Sequence, residues 1–92
     1  MQLEWDDKKR NKALVERGLD FADVAWVDWD AAFTVEDARA DYAEARFVTM
    51  AAIDNRLCVF AWCRRGEVLR VISLRKANER ERNKYEEAIH QP

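Results

Sequence analysis

Three segments rich in β-branched and aromatic residues follow one another in the second half of the chain, and they constrain its fold more than any other feature. They run from Arg46 to Ile53, from Arg56 or Leu57 to Cys63, and from Val68 to Leu74. Residues of these types favour strands, and the polar connections between the segments have turn chemistry. The segments therefore predict two consecutive hairpins. Because they are apolar on both faces, they suit a central sheet with helices against it.

The N-terminal segment predicts a short strand followed by a helix. Residues 2–5 are extended in this interpretation, and Asp6 or Asp7 can accept hydrogen bonds from the free amides of a first helical turn. Good helix formers continue as far as Arg17. Gly18 follows directly and marks the usual end of such a helix.

Two further helices and a loop complete the predicted fold. The apolar stripe of Phe21, Val24 and Ala25 has the i, i+3, i+4 spacing of a second helix. Residues 31–44 are acidic and weakly patterned, and we expect a loop there with one short strand at most. Residues 77–90 predict a terminal helix that is charged nearly all round. The fold class is α+β, with N-terminal helices and a C-terminal helix packed on a small antiparallel sheet in the order β-α-α-β-β-β-α.

The length of the chain and its composition exclude several classes of protein. Ninety-two residues give room for one domain, residues 1–92, which buries about 65% of its surface on folding. Gly18 and Gly66 are the only glycines, so a glycine-rich phosphate loop is excluded. Two cysteines and one histidine, without CxxC or HExxH spacing, predict neither a metal site nor a cofactor.

The cysteines and the N-terminus predict a cytoplasmic protein. Cys58 and Cys63 are five positions apart in one predicted strand, so their side chains point to opposite faces and a mutual disulfide is not expected. Free cysteines in an apolar run suit a reducing compartment. The charged N-terminus lacks the apolar stretch of a signal peptide. No apolar run has the length of a membrane span, and no membrane contact is predicted.

Charge is distributed unevenly along the chain, although the net charge is only −2. Residues 20–44 carry one arginine against eight acidic residues, net −7, and could face a basic partner. Residues 64–87 carry eight basic and five acidic residues, net +3, and could form a cationic face. The alternative is an ordinary solvated surface, and charge alone favours that alternative.

Arginines surround the last predicted strand. Arg70 lies between apolar neighbours, where a buried guanidinium needs a counter-ion. The counter-ion is either an internal carboxylate, such as Glu44 or Glu81, or an external anion, since arginine suits bidentate contact with phosphate. Strict alternation sends Arg75 to the opposite face of the strand unless the strand bends.

Four aromatic residues allow both a structural and a binding interpretation. Trp62 and Tyr85 lie near the arginines in sequence, and an exposed aromatic ring there could stack on a nucleic-acid base. Core packing is the better interpretation for Trp62, whereas the Tyr85 hydroxyl could donate to a phosphate or to a leaving oxygen. Trp26, Trp29 and their neighbouring aspartates could form a partner surface. The alternative has Trp26 in the core and Trp29 exposed.

Several sequence blocks, in order along nearly the whole chain, resemble the BrnT family of bacterial type II toxins. They are LEWD at 3–6, RGLDF at 17–21, DYAEAR at 41–46, Arg65, and RVISLRKANERERNKYEE at 70–87. The last block is the specific part of the match. The resemblance implies a RelE-like fold. It also implies a metal-independent endoribonuclease that inhibits translation by cutting RNA.

The resemblance further implies a partner and a set of functional residues. The family partner is BrnA, a ribbon-helix-helix antitoxin that neutralises the toxin. The complex represses its own operon, so DNA is contacted only through the antitoxin. By position, the catalytic candidates are Arg65, Arg70, Arg75, Tyr85 and Glu44. The other cations around the last predicted strand, which the charge pattern rather than the resemblance indicates, are the RNA-binding candidates Arg64, Lys76, Arg80 and Arg82.

One departure from the family pattern leaves a second function open. Many members have Lys-His-Gly where this chain has Glu16-Arg17-Gly18. If that histidine transfers protons, this chain cuts RNA weakly or differently. If it only ends a helix, arginine suits the position equally well. The alternative is a catalytically weak or inactive toxin-fold module that acts as partner and co-repressor of a ribbon-helix-helix DNA-binding protein.

Overall fold

The computed structural model describes residues 1–39 and 43–90 and shows an α+β fold. The elements in chain order are β1 (Gln2–Trp5), α1 (Asp7–Arg17), two 3₁₀ helices (Phe21–Trp26 and Trp29–Ala31), β2 (Phe33–Asp37), β3 (Arg46–Ile53), β4 (Arg56–Arg65), β5 (Val68–Lys76) and α2 (Glu79–His90). No helix among the described residues is long and apolar enough to cross a membrane.

The five strands form one mixed sheet in the order β1-β5-β4-β3-β2. The neighbours from β5 to β2 pair antiparallel, but β1 runs parallel to β5, with Glu4 opposite Arg70. The prediction of an antiparallel sheet is therefore wrong at this edge. A parallel pair needs a long crossover connection. The chain supplies one, because α1 and three strands lie between the two partners.

The boundaries of α1 are those predicted from its capping residues. The Asp6 side chain accepts a hydrogen bond from the Lys9 amide at 3.1 Å. Gly18 ends the helix with φ +67°, a left-handed conformation that glycine adopts at little cost. The three predicted strands are also present, and β4 extends two residues beyond Cys63 to Arg65.

The predicted second helix is instead a pair of 3₁₀ helices. The Asp20 side chain accepts a hydrogen bond from the Ala22 amide, and Asp28 similarly caps the second short helix. Aspartates bonded to nearby backbone amides compete with a continuous α-helix. Because residues three apart are eclipsed in a 3₁₀ helix, Phe21, Val24 and Val27 form the buried stripe.

Two tryptophans in this region have the opposite burial to one of the predicted alternatives. Trp26 is 84% exposed. Trp29 packs edge-on against Phe60 and Trp62, with ring centroids 5.9 and 5.7 Å apart. The alternative that placed Trp26 in the core and Trp29 outside is therefore wrong.

The core lies on one face of the sheet, beneath α1 and the 3₁₀ helices. Its largest fully buried side chains are Phe21, Phe60, Leu74, Val24 and Val71. Cys58 and Cys63 are buried and free, and their register places them on opposite faces of β4, as predicted. The loop predicted over residues 31–44 contains the edge strand β2. Three of its five residues are exposed, which explains its weak apolar pattern.

Candidate functional site

A register shift in β5 determines which of its arginines share a face. The pairing of β4 with β5 shifts by one residue at Ile72, which has the character of a β-bulge. Without the shift, Arg70 and Arg75 would point to opposite faces. With it, Arg70 lies opposite Cys63 and Arg75 opposite Val59, and these β4 residues share a face. Both arginines therefore lie on the side away from the core, which we call the outer face. The prediction from strict alternation, that Arg75 points to the opposite face from Arg70, is therefore wrong.

Two glutamates and two arginines meet on the outer face near the start of β5. Arg70 Nη1 is 3.3 Å from Glu4 Oε1, and Arg65 Nη1 is 3.8 Å from the same oxygen. Arg65 also donates from Nε and Nη2 to Glu44 Oε1, at 3.3 and 3.2 Å. We call Glu4, Glu44, Arg65 and Arg70 the arginine cluster. The internal partner of Arg70 is thus Glu4, and neither Glu44 nor Glu81 as predicted.

The Glu4–Arg70 contact is electrostatic but lacks a well-aligned hydrogen bond. Glu4 Oε1 is buried and, among the described residues, has no hydrogen-bond partner. The Arg70 side chain is 29% exposed. A buried acceptor without a hydrogen bond is costly and uncommon in folded proteins. The Glu4 side chain as a whole is 38% exposed, so a group that enters from outside would reach its other oxygen, Oε2, rather than the buried Oε1.

A small cavity of about 110 Å³ opens beside the cluster. Its charged lining residues are Asp6, Lys9, Glu44, Arg46, Arg65 and Arg70. The hydrogen bond to Glu44 raises the pKa of Arg65, and the hydrogen bond from the Lys9 amide lowers the pKa of Asp6. Guanidinium groups bind phosphate oxygens bidentately, and the volume suits one phosphate group.

Arg75 lies on the outer face but has different partners. It donates from Nη1 and Nη2 to the two oxygens of Glu81, at 2.7 and 2.9 Å. Asn78 and Glu81 exchange hydrogen bonds between their side chains and amides, which forms a capping box at the start of α2. The hydrogen bonds from Arg75 lower the pKa of Glu81 to about 2. Arg75 therefore connects the end of β5 to α2.

The two predicted aromatic candidates both have structural partners. Trp62 is buried, stacks on Phe47 with centroids 4.7 Å apart, and donates from Nε1 to Thr49 Oγ1 at 2.8 Å. This confirms core packing for Trp62. The Tyr85 hydroxyl donates to the Ala31 backbone carbonyl and connects α2 to the end of the second 3₁₀ helix.

The other predicted cations lie outside the cavity. Arg64 is on the opposite face of β4 from Arg65, beside Trp29 and Leu69. Lys76 ends β5, and both Arg80 and Arg82 are exposed on α2. Arg17 donates to the Leu74 carbonyl at 3.4 Å, at the uncovered edge of β5.

Sequence reasoning missed Glu4 and Lys9 as members of the site. Glu4 belongs to the LEWD block, but only the parallel pairing of β1 with β5 places it opposite Arg70. Lys9 lies at the site because α1, which contains it, begins directly after β1. In the DYAEAR block, Asp41 and Tyr42 lie outside the described residues. Within residues 1–39 and 43–90, no group of three or more His, Cys, Asp or Glu side chains is arranged to hold a metal ion.

Comparison with known proteins gives one family. Residues 5–81 match the family described as "Ribonuclease toxin, BrnT, of type II toxin-antitoxin system". No curated protein matches the chain. The matched range covers α1, all of β2 to β5 and the first turn of α2, and it contains Glu44, Arg65 and Arg70. The chain therefore belongs to the BrnT family of ribonuclease toxins of type II toxin–antitoxin systems.

Proposed function

We propose that this protein is a metal-independent endoribonuclease that inhibits translation and cleaves RNA at the arginine cluster. The observation that carries the proposal is the incomplete hydrogen bonding of the Glu4–Arg70 pair beside a phosphate-sized cavity. An RNA backbone brings both groups that the pair lacks, a hydroxyl that donates to a carboxylate and a phosphate that accepts from a guanidinium.

The proposed reaction is attack of the RNA 2′-oxygen on the adjacent phosphorus. Glu4 does not line the cavity itself but adjoins it through Arg70, and its exposed oxygen accepts the 2′-hydroxyl proton as the O2′–P bond forms. The P–O5′ bond breaks, and Lys9, which lines the same cavity, donates a proton to the leaving 5′-oxygen. The products are a 2′,3′-cyclic phosphate and a 5′-hydroxyl. Arg65 and Arg70 stabilise the negative charge that develops on the phosphorane oxygens.

The remaining family candidates take supporting roles in this proposal. Glu44 orients Arg65 through the two hydrogen bonds to its Oε1. Arg75 and Tyr85 hold α2 in position through Glu81 and the Ala31 carbonyl. Arg64, Lys76, Arg80 and Arg82 contribute positive potential to RNA approach rather than contacts at the reacting phosphate.

Membership of a type II toxin–antitoxin family implies an antitoxin partner. We propose that this partner is a BrnA-like ribbon-helix-helix protein, that the toxin contacts operator DNA only through it, and that both act in the cytoplasm. The RelE-like relationship of the fold and the single-domain organisation stay predictions.

A second candidate function is supported by the positions of two side chains that were candidates for proton transfer. Arg17 replaces the histidine of many family members and contacts the Leu74 carbonyl, and Tyr85 is bonded to the Ala31 carbonyl. Neither side chain lines the cavity beside the arginine cluster. If Lys9 cannot replace them, the protein is a weak or inactive toxin that serves as co-repressor of its antitoxin.

The experiment that tests the proposal combines the purified protein, single-stranded RNA and excess EDTA. We expect fragments whose 5′ ends are labelled by polynucleotide kinase without prior phosphatase treatment, and whose 3′ ends accept a tail only after the cyclic phosphate is opened and the resulting phosphate is removed. The Glu4→Gln/Arg70→Ala double variant should leave the RNA intact. Intact RNA with the folded wild type, together with operator binding by its complex with the antitoxin, would instead support the co-repressor.

Induction in growing cells provides the complementary test. Growth arrest with RNA fragmentation is expected for the wild type and should be absent for the same double variant. Full toxicity of a soluble double variant would show that the arginine cluster is not the active site.

A further inference from the structure

Among the described residues, the most exposed tryptophan lies far from the arginine cluster. Trp26, 84% exposed, ends the first 3₁₀ helix. A pocket of about 400 Å³ lies beside it, lined by Asp23, Trp26, Ile53 and Asp54. Asp54 belongs to the β3–β4 turn, at the opposite end of β4 from Arg65. Ten residues of β4 separate the two regions by about 30 Å.

The two carboxylates that line this pocket have no cationic partner within the described residues, a condition that they share with other exposed acidic residues such as Asp28 and Asp30. Asp20 is bonded to Arg10 through both oxygens, and Asp37 is bonded to Arg39. Within the described residues, no ion pair involves Asp23 or Asp54. Two uncompensated carboxylates therefore flank an exposed indole, in a stretch of chain whose net charge is strongly negative.

The exposed indole and the two carboxylates together indicate which kind of side chain this pocket can bind. An indole face attracts a cation, arginine most often, and the two carboxylates complement the same charge. Ile53 supplies an apolar wall for the methylene stem of such a side chain. RNA is excluded by the charge. Tryptophan is also among the residues that contribute most to protein–protein affinity.

We infer that Trp26, Asp23 and Asp54 form a docking pocket for an arginine or lysine side chain on a basic segment of the antitoxin. The inference rests on the proposed function only in naming the antitoxin, and it does not require RNA cleavage. Because the pocket is remote from the arginine cluster, docking here anchors the antitoxin without closing the cavity. A further part of the antitoxin has to cover the active site.

The first test uses a nine-residue synthetic peptide in which arginine and leucine alternate. The protein is labelled with ¹⁵N in its four tryptophans, and Trp26→Phe identifies the Trp26 indole signal. We expect that signal to shift saturably with the arginine peptide and to stay unchanged with a peptide that has glutamate in place of arginine. An unmoved Trp26 signal overturns the inference.

Paired aspartate variants separate a pocket from a general charge effect. Asp23→Asn/Asp54→Asn should raise the peptide Kd at least fivefold. Asp28→Asn/Asp30→Asn removes the same charge from neighbouring residues outside the pocket and should change the Kd at most twofold. Equal effects of the two double variants contradict a defined pocket.

The same variants are then measured with the purified antitoxin. Trp26→Ala should weaken the toxin–antitoxin complex at least tenfold, while RNA cleavage by the free toxin and its thermal midpoint stay those of the wild type. An unchanged antitoxin Kd overturns the inference even where the peptide binds. Failure of the wild type to cut RNA contradicts the proposed function and leaves the binding results interpretable.

Discussion

Arg70 and Arg75 lie on the same strand and the same face, yet their surroundings are opposite in kind. Arg75 donates two short hydrogen bonds to Glu81, which also closes the capping box of α2. Arg70 Nη1 lies 3.3 Å from Glu4 Oε1, and this buried oxygen accepts no hydrogen bond from any residue in the described ranges. An ion pair alone therefore does not define the role of an arginine. Completed hydrogen bonds indicate a structural role, and unfilled ones leave the group available to a ligand.

The largest expected effect is the difference in RNA cleavage rate between the Arg70 and Arg75 variants. Arg70→Ala should lower the rate of RNA cleavage by about 10²- to 10³-fold, because one preformed donor to the transition-state oxyanion is lost. Arg75→Ala should stay within about threefold per folded molecule, since it contacts only the α2 junction. Gel-based cleavage rates test both variants. Similar losses in the two would remove the distinction.

The two glutamates of the arginine cluster provide the next comparison. Glu4→Gln should lower the cleavage rate by about 10²-fold, in the lower range of general base catalysis. Glu44→Gln should lower the rate by less, because Glu44 acts only by orienting Arg65. Gel-based cleavage rates at pH 7 distinguish the variants. Equal losses of rate in the two would assign the base elsewhere.

The loss of stability should be larger for Arg75→Ala than for Arg70→Ala, which is the reverse of the order expected for the cleavage rate. Arg75→Ala should lower the free energy of unfolding by about 1 kcal/mol, the scale of a helix cap combined with a surface ion pair. For a domain of this size, the midpoint of thermal unfolding then falls by about 4–8 °C. Lys76→Ala, next along the strand, is the matched control and should change the midpoint little. A larger loss of stability in Arg70→Ala would contradict this assignment.

The smallest expected effect is a change in the free energy of unfolding at acid pH. Glu81 has a pKa of about 2 in the folded protein, against 4.5 for the ordinary group. Between these values the unfolded chain binds more protons, so the free energy of unfolding falls as the pH is lowered from about 5 to 2. Glu81→Gln should make this fall less steep, and Glu79→Gln should not. Urea unfolding at pH 7, 4 and 3 measures the difference. Parallel curves for wild type and Glu81→Gln would show that the pair contributes nothing to acid sensitivity.

Local signals explain why much of the fold could be predicted. Asp6 and Gly18 define α1 through hydrogen bonds to near neighbours. The three long strands follow from their composition and from the turns between them. In each case the determining contacts lie within a few residues of one another, so the sequence alone contains them.

The candidate site depends on contacts that local patterns do not reveal. The four members of the arginine cluster could be placed together only with the pairing of β1 and β5 and the register shift at Ile72. Family resemblance indicated Arg65, Arg70 and Glu44, but Glu4 emerged from topology alone. The position of Trp29 likewise depends on tertiary packing, since this ring contacts Phe60 and Trp62 of β4.

The parallel pairing of β1 with β5 has a consequence for the order of folding. Glu4 contacts Arg65 and Arg70, which are distant from it in sequence. Contacts of this kind form slowly, since a long loop must close first. The hairpins of β3, β4 and β5 need only short turns, so we expect them to form before β1 joins the sheet. The arginine cluster is then among the last parts of the molecule to be completed, and a partly folded chain lacks it even where most of the sheet is in place.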